Sequence, residues 1–276
     1  MEESESIGKY FTPIQPSVSG EDGNVVYKEL KPDIQLQNHI HCYWQLSTKR
    51  PLSSPFNYRV VSDGCIDVFF NLKNTTESSV MGFCNKYTEF PIGKEFNFGG
   101  IRFYPSMFPQ IFGISAKTFS EKAQSLESIL PDLAEFISTN IVEDFPLSII
   151  KFDKFFDSLI QHKVPNVDER FHLAFLEILK EKGNLEIEHQ LNTGISPRQL
   201  RRLFNFYIGT SPKSFSQVVR FQYILGSKPS IQSLKENKIF YDVGFFDQAH
   251  FIKEFKKQIG QSPKQYRLER QRNHLT

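Results

Sequence analysis

Residues 208–215 read IGTSPKSF and residues 259–266 read IGQSPKQY. Ile-Gly-x-Ser-Pro-Lys-x-aromatic is therefore written twice, at an offset of 51 residues (259 minus 208). A fixed offset marks a duplicated supersecondary unit. Carried outward, it aligns Ser196 with Asp247, Leu200 with Phe251 and Phe204 with Phe255. Ser196 and Asp247 are both N-cap residue types, each followed by apolar positions in the same helical phase.

The first helix so defined, SPRQLRRLFNFY, turns Leu200, Leu203 and Phe204 inward and leaves Arg198, Arg201, Arg202 and Asn205 outside. The second, DQAHFIKEFKKQ, turns Phe251, Ile252 and Phe255 inward and leaves Gln248, Ala249, His250, Lys253 and Lys256 outside. Each follows a candidate helix and a glycine-containing turn, LEIEHQLNTGI in the first unit and NKIFYDVGF in the second. Helix, tight turn and a second helix with outward cations and amides is the helix-turn-helix layout. The residue types suit it: Arg forks onto guanine, Gln pairs with adenine, and Lys holds phosphate or guanine. The Ser-Pro after each unit starts a further helix, with Pro in its first turn.

Charge agrees with this reading. Residues 190–276 hold 15 Lys and Arg against 5 Asp and Glu, a net of +10 within a chain whose total is +2. The preceding residues therefore carry −8. A basic block joined to an acidic one is the footprint of a polyanion-binding module. The plain alternative is a solvated, solubilising surface. The 28 Phe among 276 residues supply material for packed cores. No stretch approaches the roughly 18 apolar residues of a membrane span. The amino terminus, MEESESIGKY, lacks a secretory leader's apolar segment. Cys42, Cys65 and Cys84 are an odd number without a Cys-x-x-Cys pair. A cytoplasmic protein with no membrane partner is expected.

Upstream, residues 1–26 read as a tail or extended arm. Residues 27–130 read as a β-rich regulatory domain. In YRVVSDGCIDVFFNL, Tyr58–Val61 and the alternation at 65–70 suggest a hairpin turning at Asp63-Gly64. VMGFC and FNFGGIRFYP are further short strand-like runs. Residues 131–183 read as a helical connector and candidate dimerisation element. Ile149, Phe152, Phe156 and Leu159 form one stripe, Phe171, Phe175 and Ile178 another, and Gly183 is a C-cap. Residues 184–276 form the basic domain. The fold class is thus α+β multidomain: a β-rich N-terminal sensor domain, a helical connector and an all-α C-terminal domain with two helix-turn-helix subdomains.

SPRQLRRLF…GTSPKSF…RF followed by VGFFDQAHFIKEFKKQIGQSPKQYR resembles the DNA-binding domain of the AraC/XylS family of bacterial transcription regulators, over roughly residues 184–268. The resemblance implies seven helices in two helix-turn-helix subdomains, joined by a long helix at about Pro212–Gly226. It implies that two recognition helices enter adjacent major-groove segments, about 34 Å apart. It assigns DNA contacts to Arg198, Arg201, Arg202, Gln248, Ala249, His250 and Lys253; Asn205 and Lys256 join them from the outward face. Two departures stand out: Gly194 follows Ile187 by seven residues, and Phe240 occupies a position where the family has a small Ala. YWQL, SDGCIDVFFNL and GGIRFYP resemble a poorly characterised domain found upstream of this reader, with Ser62 in place of its Pro. That likeness implies a regulatory or oligomerisation role and names no ligand.

Other residues admit plainer readings. Ser196 and Asp247 are caps, and His250 serves either its turn or the groove. His39, His41 and Cys42 are soft-metal ligand types, yet no partnered carboxylate accompanies them in sequence, and no metal or cofactor is expected. Trp44, Asp63, Arg102 and Tyr104 are candidate ligand-binding residues, although a lone Trp is more often core. Cys65 has no adjacent base to activate it, and no catalytic motif is present. The reading is a DNA-binding transcription regulator, activator or repressor, that is ligand-responsive and not an enzyme. Double-stranded DNA, RNA polymerase, a small-molecule effector and a second copy of the chain are its expected partners. Two alternatives stay open: a metal- or thiol-dependent enzyme whose basic half localises it on DNA, and an architectural binder without sequence choice.

Overall fold

The alternation at 65–70 becomes a strand whose Ile66, Val68 and Phe70 are buried on one face. In this computed structural model, which describes residues 6–15, 23–161, 167–187, 191, 193–226 and 248–266, that strand is β4 (Ile66–Asn71). It lies inside a six-stranded antiparallel sheet with β1 (Val25–Leu30), β2 (Ile40–Thr48), β5 (Asn74–Met81), β7 (Asn97–Phe103) and β8 (Ala123–Ser125), in the order β1-β2-β7-β4-β5-β8. A separate antiparallel pair is formed by β3 (Phe56–Val60) and β6 (Thr88–Gly93).

The expected hairpin across Asp63-Gly64 is not formed, because β3 pairs with β6 while β4 pairs with β5 and β7. Asp63 Oδ1 accepts the Cys65 N–H at 2.9 Å, and Gly64 takes φ +77°. These two features bend the chain from the small sheet into the large one. Residues 61–65 are buried throughout, which a hairpin loop in water would not be.

The two faces of the large sheet are finished differently. One packs on α5 (Phe145–Gln161): Tyr43 stacks on Phe152 at 5.4 Å, and Phe103 meets Phe156 edge-on at 5.6 Å. The other carries Cys42, Trp44 and Leu46 toward Tyr58 of β3. Gly99-Gly100 makes both close approaches possible. A Cβ at Gly99 would sit 2.8 Å from Phe70, and one at Gly100 would overlap the Trp44 indole.

The remaining helices are α1 (Ile7–Tyr10), α2 (Met107–Phe112), α3 (Leu126–Ile129), α4 (Pro131–Asn140), α6 (Glu169–Lys180), α7 (Pro197–Tyr207), α8 (Pro212–Gly226) and α9 (Gln248–Ile259). Ile7 and Phe11 are buried in the main core, so this part of the expected tail is docked. In α5 the stripe holds: Phe152 and Phe156 are buried, with Ile149 and Leu159 packed beside them. Helix α6, read as connector, packs on the basic half, where Phe171 stacks on Tyr207 at 4.3 Å and Phe175 on Phe215 at 5.5 Å. Gly183 follows at φ +69°, and its carbonyl accepts from Ser216 Oγ at 2.8 Å. No helix among the described residues is long and apolar enough to cross a membrane.

Candidate nucleic-acid interface and cavity

The repeated octapeptide is a helix-end device. Gly209 (φ +92°) and Gly260 (φ +84°) occupy left-handed positions at the ends of α7 and α9, where a side chain would be strained. Their N–H groups donate to Phe204 O at 3.1 Å and Lys256 O at 2.8 Å. Ser211 Oγ then accepts from Ser214 N at 3.1 Å, and Ser262 Oγ from Gln265 N at 3.3 Å, starting the next helix in each unit. At the other end of α7, Ser196 and Gln199 form a reciprocal capping box.

Capping and apolar phase together fix which side of each helix meets water. Leu200, Phe204 and Tyr207 are buried, and Arg198, Arg201 and Arg202 are exposed, with Asn205 half-buried beside them. In α9, Phe251, Phe255 and Ile259 are buried while Ala249, His250, Lys253 and Lys256 are exposed. Ile252, expected inside, is 40% exposed. The inward face runs through Phe251, Phe255, Gln258 and Ile259, and position 252 falls at its rim. Asp247, Phe240 and the helix expected before α9 lie outside the described residues, as does the side chain of Gln248. Of the other basic residues, Arg220 is internal: its Nη2 donates to Gly183 O at 2.8 Å.

Both units rest on the β-rich half. Ser120 Oγ donates to Gly209 O at 2.8 Å, and a Cβ at Gly260 would come within 2.8 Å of the Tyr87 ring. Gln258 Nε2 donates to Asn85 O at 3.3 Å, and Gln222 Nε2 in α8 to Ser62 O at 2.8 Å. Gln15 bridges the same place, with Nε2 donating to Asp63 Oδ2 at 2.7 Å and Oε1 accepting from Val61 N at 2.9 Å.

Between the large and small sheets lies a mainly apolar cavity of about 240 Å³. Trp44, Asp63 and Arg102 line it as expected; Tyr104 does not. The Tyr104 residue lies past the end of β7, its N–H donating to His39 O at 3.0 Å and its ring edge-on to His41 at 5.2 Å, so it faces away from the cavity. Arg102 is fully buried, with Nε 3.1 Å from Asp67 Oδ1 and 3.5 Å from Asp63 Oδ2, and Nη1 3.7 Å from Glu29. Trp44 Nε1 donates to Asp67 Oδ1 at 2.7 Å. Burial pushes the Asp67 carboxyl up, opposed by Arg102. Burial also opposes the Arg102 charge, yet Asp67, Tyr27 and Asp63 keep it well above its ordinary range.

The thiols do not have an activated character. Burial pushes Cys65 and Cys42 well up, and Cys84 to about 11, whereas a nucleophilic thiolate needs the opposite shift. Glu29, His41 and Cys42 bring their donor atoms within 4.8 Å of one another. His41 is held neutral, pushed down to about 3 by burial and then by Arg102 and Lys31. The same two cations oppose a metal ion there. His39, beside them in sequence, is not part of that group.

Sequence reading missed Asp67, Gln15, Gln222 and Tyr87. Asp67 carried a signal, a carboxylate in an otherwise apolar strand. The two glutamines and Tyr87 carried none, because their partners are distant in sequence.

Residues 192–269 match a family described as a helix-turn-helix domain. The carboxy-terminal region is thus similar to a helix-turn-helix domain. Residues 28–125 match a family described as a domain of unknown function, DUF6597. A protein of Haemophilus influenzae, named an uncharacterized HTH-type transcriptional regulator, is 37% identical over 106 residues, covering 36% of this chain. The chain spans only 34% of that relative's length. Two crystal structures of ToxT from Vibrio cholerae, one from strain O395 and one in a P21 form, are 14% identical to it. They cover 81% and 88% of this chain and 96% of their own, with TM-scores of 0.36 and 0.37. Likeness at that level is too low to define a common fold. The match at residues 192–269 agrees with what the repeated signatures imply.

Proposed function

We propose that the protein is a sequence-specific DNA-binding transcription regulator. Its helix-turn-helix domain reads two adjacent major-groove segments, and its β-rich half sets the response. The observation that carries this reading is the equivalence of the two units. Each ends its second helix on a left-handed glycine and offers a cation-rich face to solvent, through Arg198, Arg201 and Arg202 in one and Lys253 and Lys256 in the other. An ordinary solvated face would have no reason to recur in register with the caps. Asn205, Gln248, Ala249 and His250 complete the contact set, with DNA phosphate and base edges as their partners. RNA polymerase is the partner that regulation would require, and the cytoplasm is where it would act.

The rival enzyme reading has little chemistry behind it, given thiols raised by burial. Selection of bound duplexes from a random DNA pool by the full chain tests the proposal. Two enriched blocks about 10 base pairs apart are expected. Arg201→Ala should relax one base pair of the selected site and weaken binding by about 1–3 kcal/mol. Retention of DNA with a steep salt dependence but no enriched sequence would instead establish an architectural binder.

A further inference from the structure

The cavity between the two sheets has a definite chemical preference. Five of its walls are aromatic rings, those of Trp44, Tyr58, Phe69, Phe90 and Phe98, and its charged lining is Asp63, Asp67 and Arg102. Glu29 also approaches the guanidinium, so a single cation is shared among three carboxylates. An entering anion would meet surplus negative charge in a poorly solvated space. An entering cation would meet carboxylate and aromatic rings, whose faces attract a cation, and both attractions are strengthened by exclusion of water. Its volume of about 240 Å³ suits a molecule below ordinary drug size.

We propose that this cavity binds a small, largely apolar organic cation, an arylalkylamine or quaternary ammonium, and that its occupation alters how the β-rich half holds the helix-turn-helix domain. The coupling element is the wall at 61–65. Val61, Ser62, Asp63, Gly64 and Cys65 all line the cavity. On its other side the same segment holds the reader. Ser62 O accepts from Gln222 of α8, Val61 packs with Phe221, Ile224 and Phe251, and a Cβ at Gly64 would lie 3.0 Å from Phe215. Asp63 joins both sides, since Oδ2 accepts from Gln15, whose neighbour Ile14 donates its N–H to Gln222 Oε1 at 2.8 Å. A cation that draws Asp63 toward the cavity competes with this clasp. The ligand assignment stands on the cavity alone, whereas the output rests on the regulator reading above.

Trp44 is the only tryptophan in the chain, so intrinsic fluorescence of the full-length protein reports on this site. Titration with benzyltrimethylammonium, its neutral isostere neopentylbenzene and the anion phenylacetate should give at least tenfold tighter binding of the cation than of the anion, with the isostere between. Asp63→Asn should weaken the cation at least tenfold and leave the isostere unchanged; Phe69→Leu should weaken the cation about threefold in a protein with unaltered circular dichroism. Equal affinities for the three probes, tighter binding of phenylacetate, or no response to any of them from folded protein would overturn the ligand assignment. With a duplex that the unliganded chain binds, saturating benzyltrimethylammonium should change DNA affinity at least fivefold, and Gln222→Ala should abolish that change while preserving the fluorescence response. An unchanged DNA affinity alongside a normal fluorescence titration would overturn the coupling and leave the site standing. Failure of the unliganded chain to bind any duplex would fall on the regulator reading alone.

Discussion

At the scale of single residues, burial decides chemistry more than residue type does. His41 sits on β2 with its Nδ1 3.2 Å from the Tyr104 hydroxyl, and burial, Arg102 and Lys31 push it down to about 3. The unfolded chain titrates this group near 6.5. Between these values the unfolded state binds a proton that the folded state does not, so folding stability must fall as pH falls below about 6.5. From pH 7 to pH 5 the loss from this one group comes to about 2 kcal/mol. His41→Gln keeps a polar partner for Tyr104 and cannot charge. Urea denaturation at both pH values should show the variant losing about 2 kcal/mol less than the parent. Equal losses in the two proteins would mean that His41 is protonated in the fold. The same logic separates the cysteines from reactive thiols: their sequence neighbours are uninformative, and only their enclosure shows that the thiolate is disfavoured.

At the scale of elements, what was legible in the sequence was what is local. The cap at Ser196, the glycine end at 183 and the inward stripes of α5, α6 and α7 follow from residue type and spacing, because a helix sets neighbours three and four residues apart on one face. Ile252 shows the limit of that reading, since the buried face runs through Phe251, Phe255, Gln258 and Ile259 and leaves position 252 at its rim. The Asp63-Gly64 bend shows it again. A turn signal states that the chain bends, but whether it returns to its own sheet or crosses to another depends on partners far away, here β6 and β7. Of the four candidate ligand-binding residues, Trp44, Asp63 and Arg102 line the cavity and Tyr104 does not, because the chain leaves the sheet just before it. The repeated glycines offer a test at this scale. Both substitutions add left-handed strain of about 1–2 kcal/mol, but Gly209→Ala also drives a methyl to 2.5 Å from Ser120 Oγ and 3.0 Å from the Ala116 backbone carbonyl, whereas Gly260→Ala meets only the Tyr87 side chain. Chemical denaturation should therefore rank Gly209→Ala as the more destabilising of the two, by at least about 1 kcal/mol. The reverse order would mean that the seat on Ser120 yields more easily than that on Tyr87.

At the scale of the whole molecule, the two duplicated units are not held equally. The first shares one continuous core with the β-rich half, from Ile7 and Phe11 through Phe103 and Phe108 to Phe204, Phe215 and Val219. The second is built around a smaller cluster, where Val61, Phe221, Ile224 and Leu225 meet Phe251, Phe255 and Ile259. Nothing in the sequence announces this asymmetry, because the repeat is symmetrical and only the surfaces it lands on differ. Local opening follows the apolar contacts that must be broken, so the two units should open at different free energies. Native-state hydrogen exchange on the full chain should find the amides of α7 and the first half of α8 protected nearly as long as those of β7. Those of α9 should exchange through a separate, less costly opening. Adding a duplex carrying both selected blocks should slow α9 far more than α7, since ordering the looser unit is where binding energy has most to change. Uniform protection across both units without DNA would show that the smaller cluster couples fully to the larger. The β-rich half would then have to govern both readers together rather than gating the second.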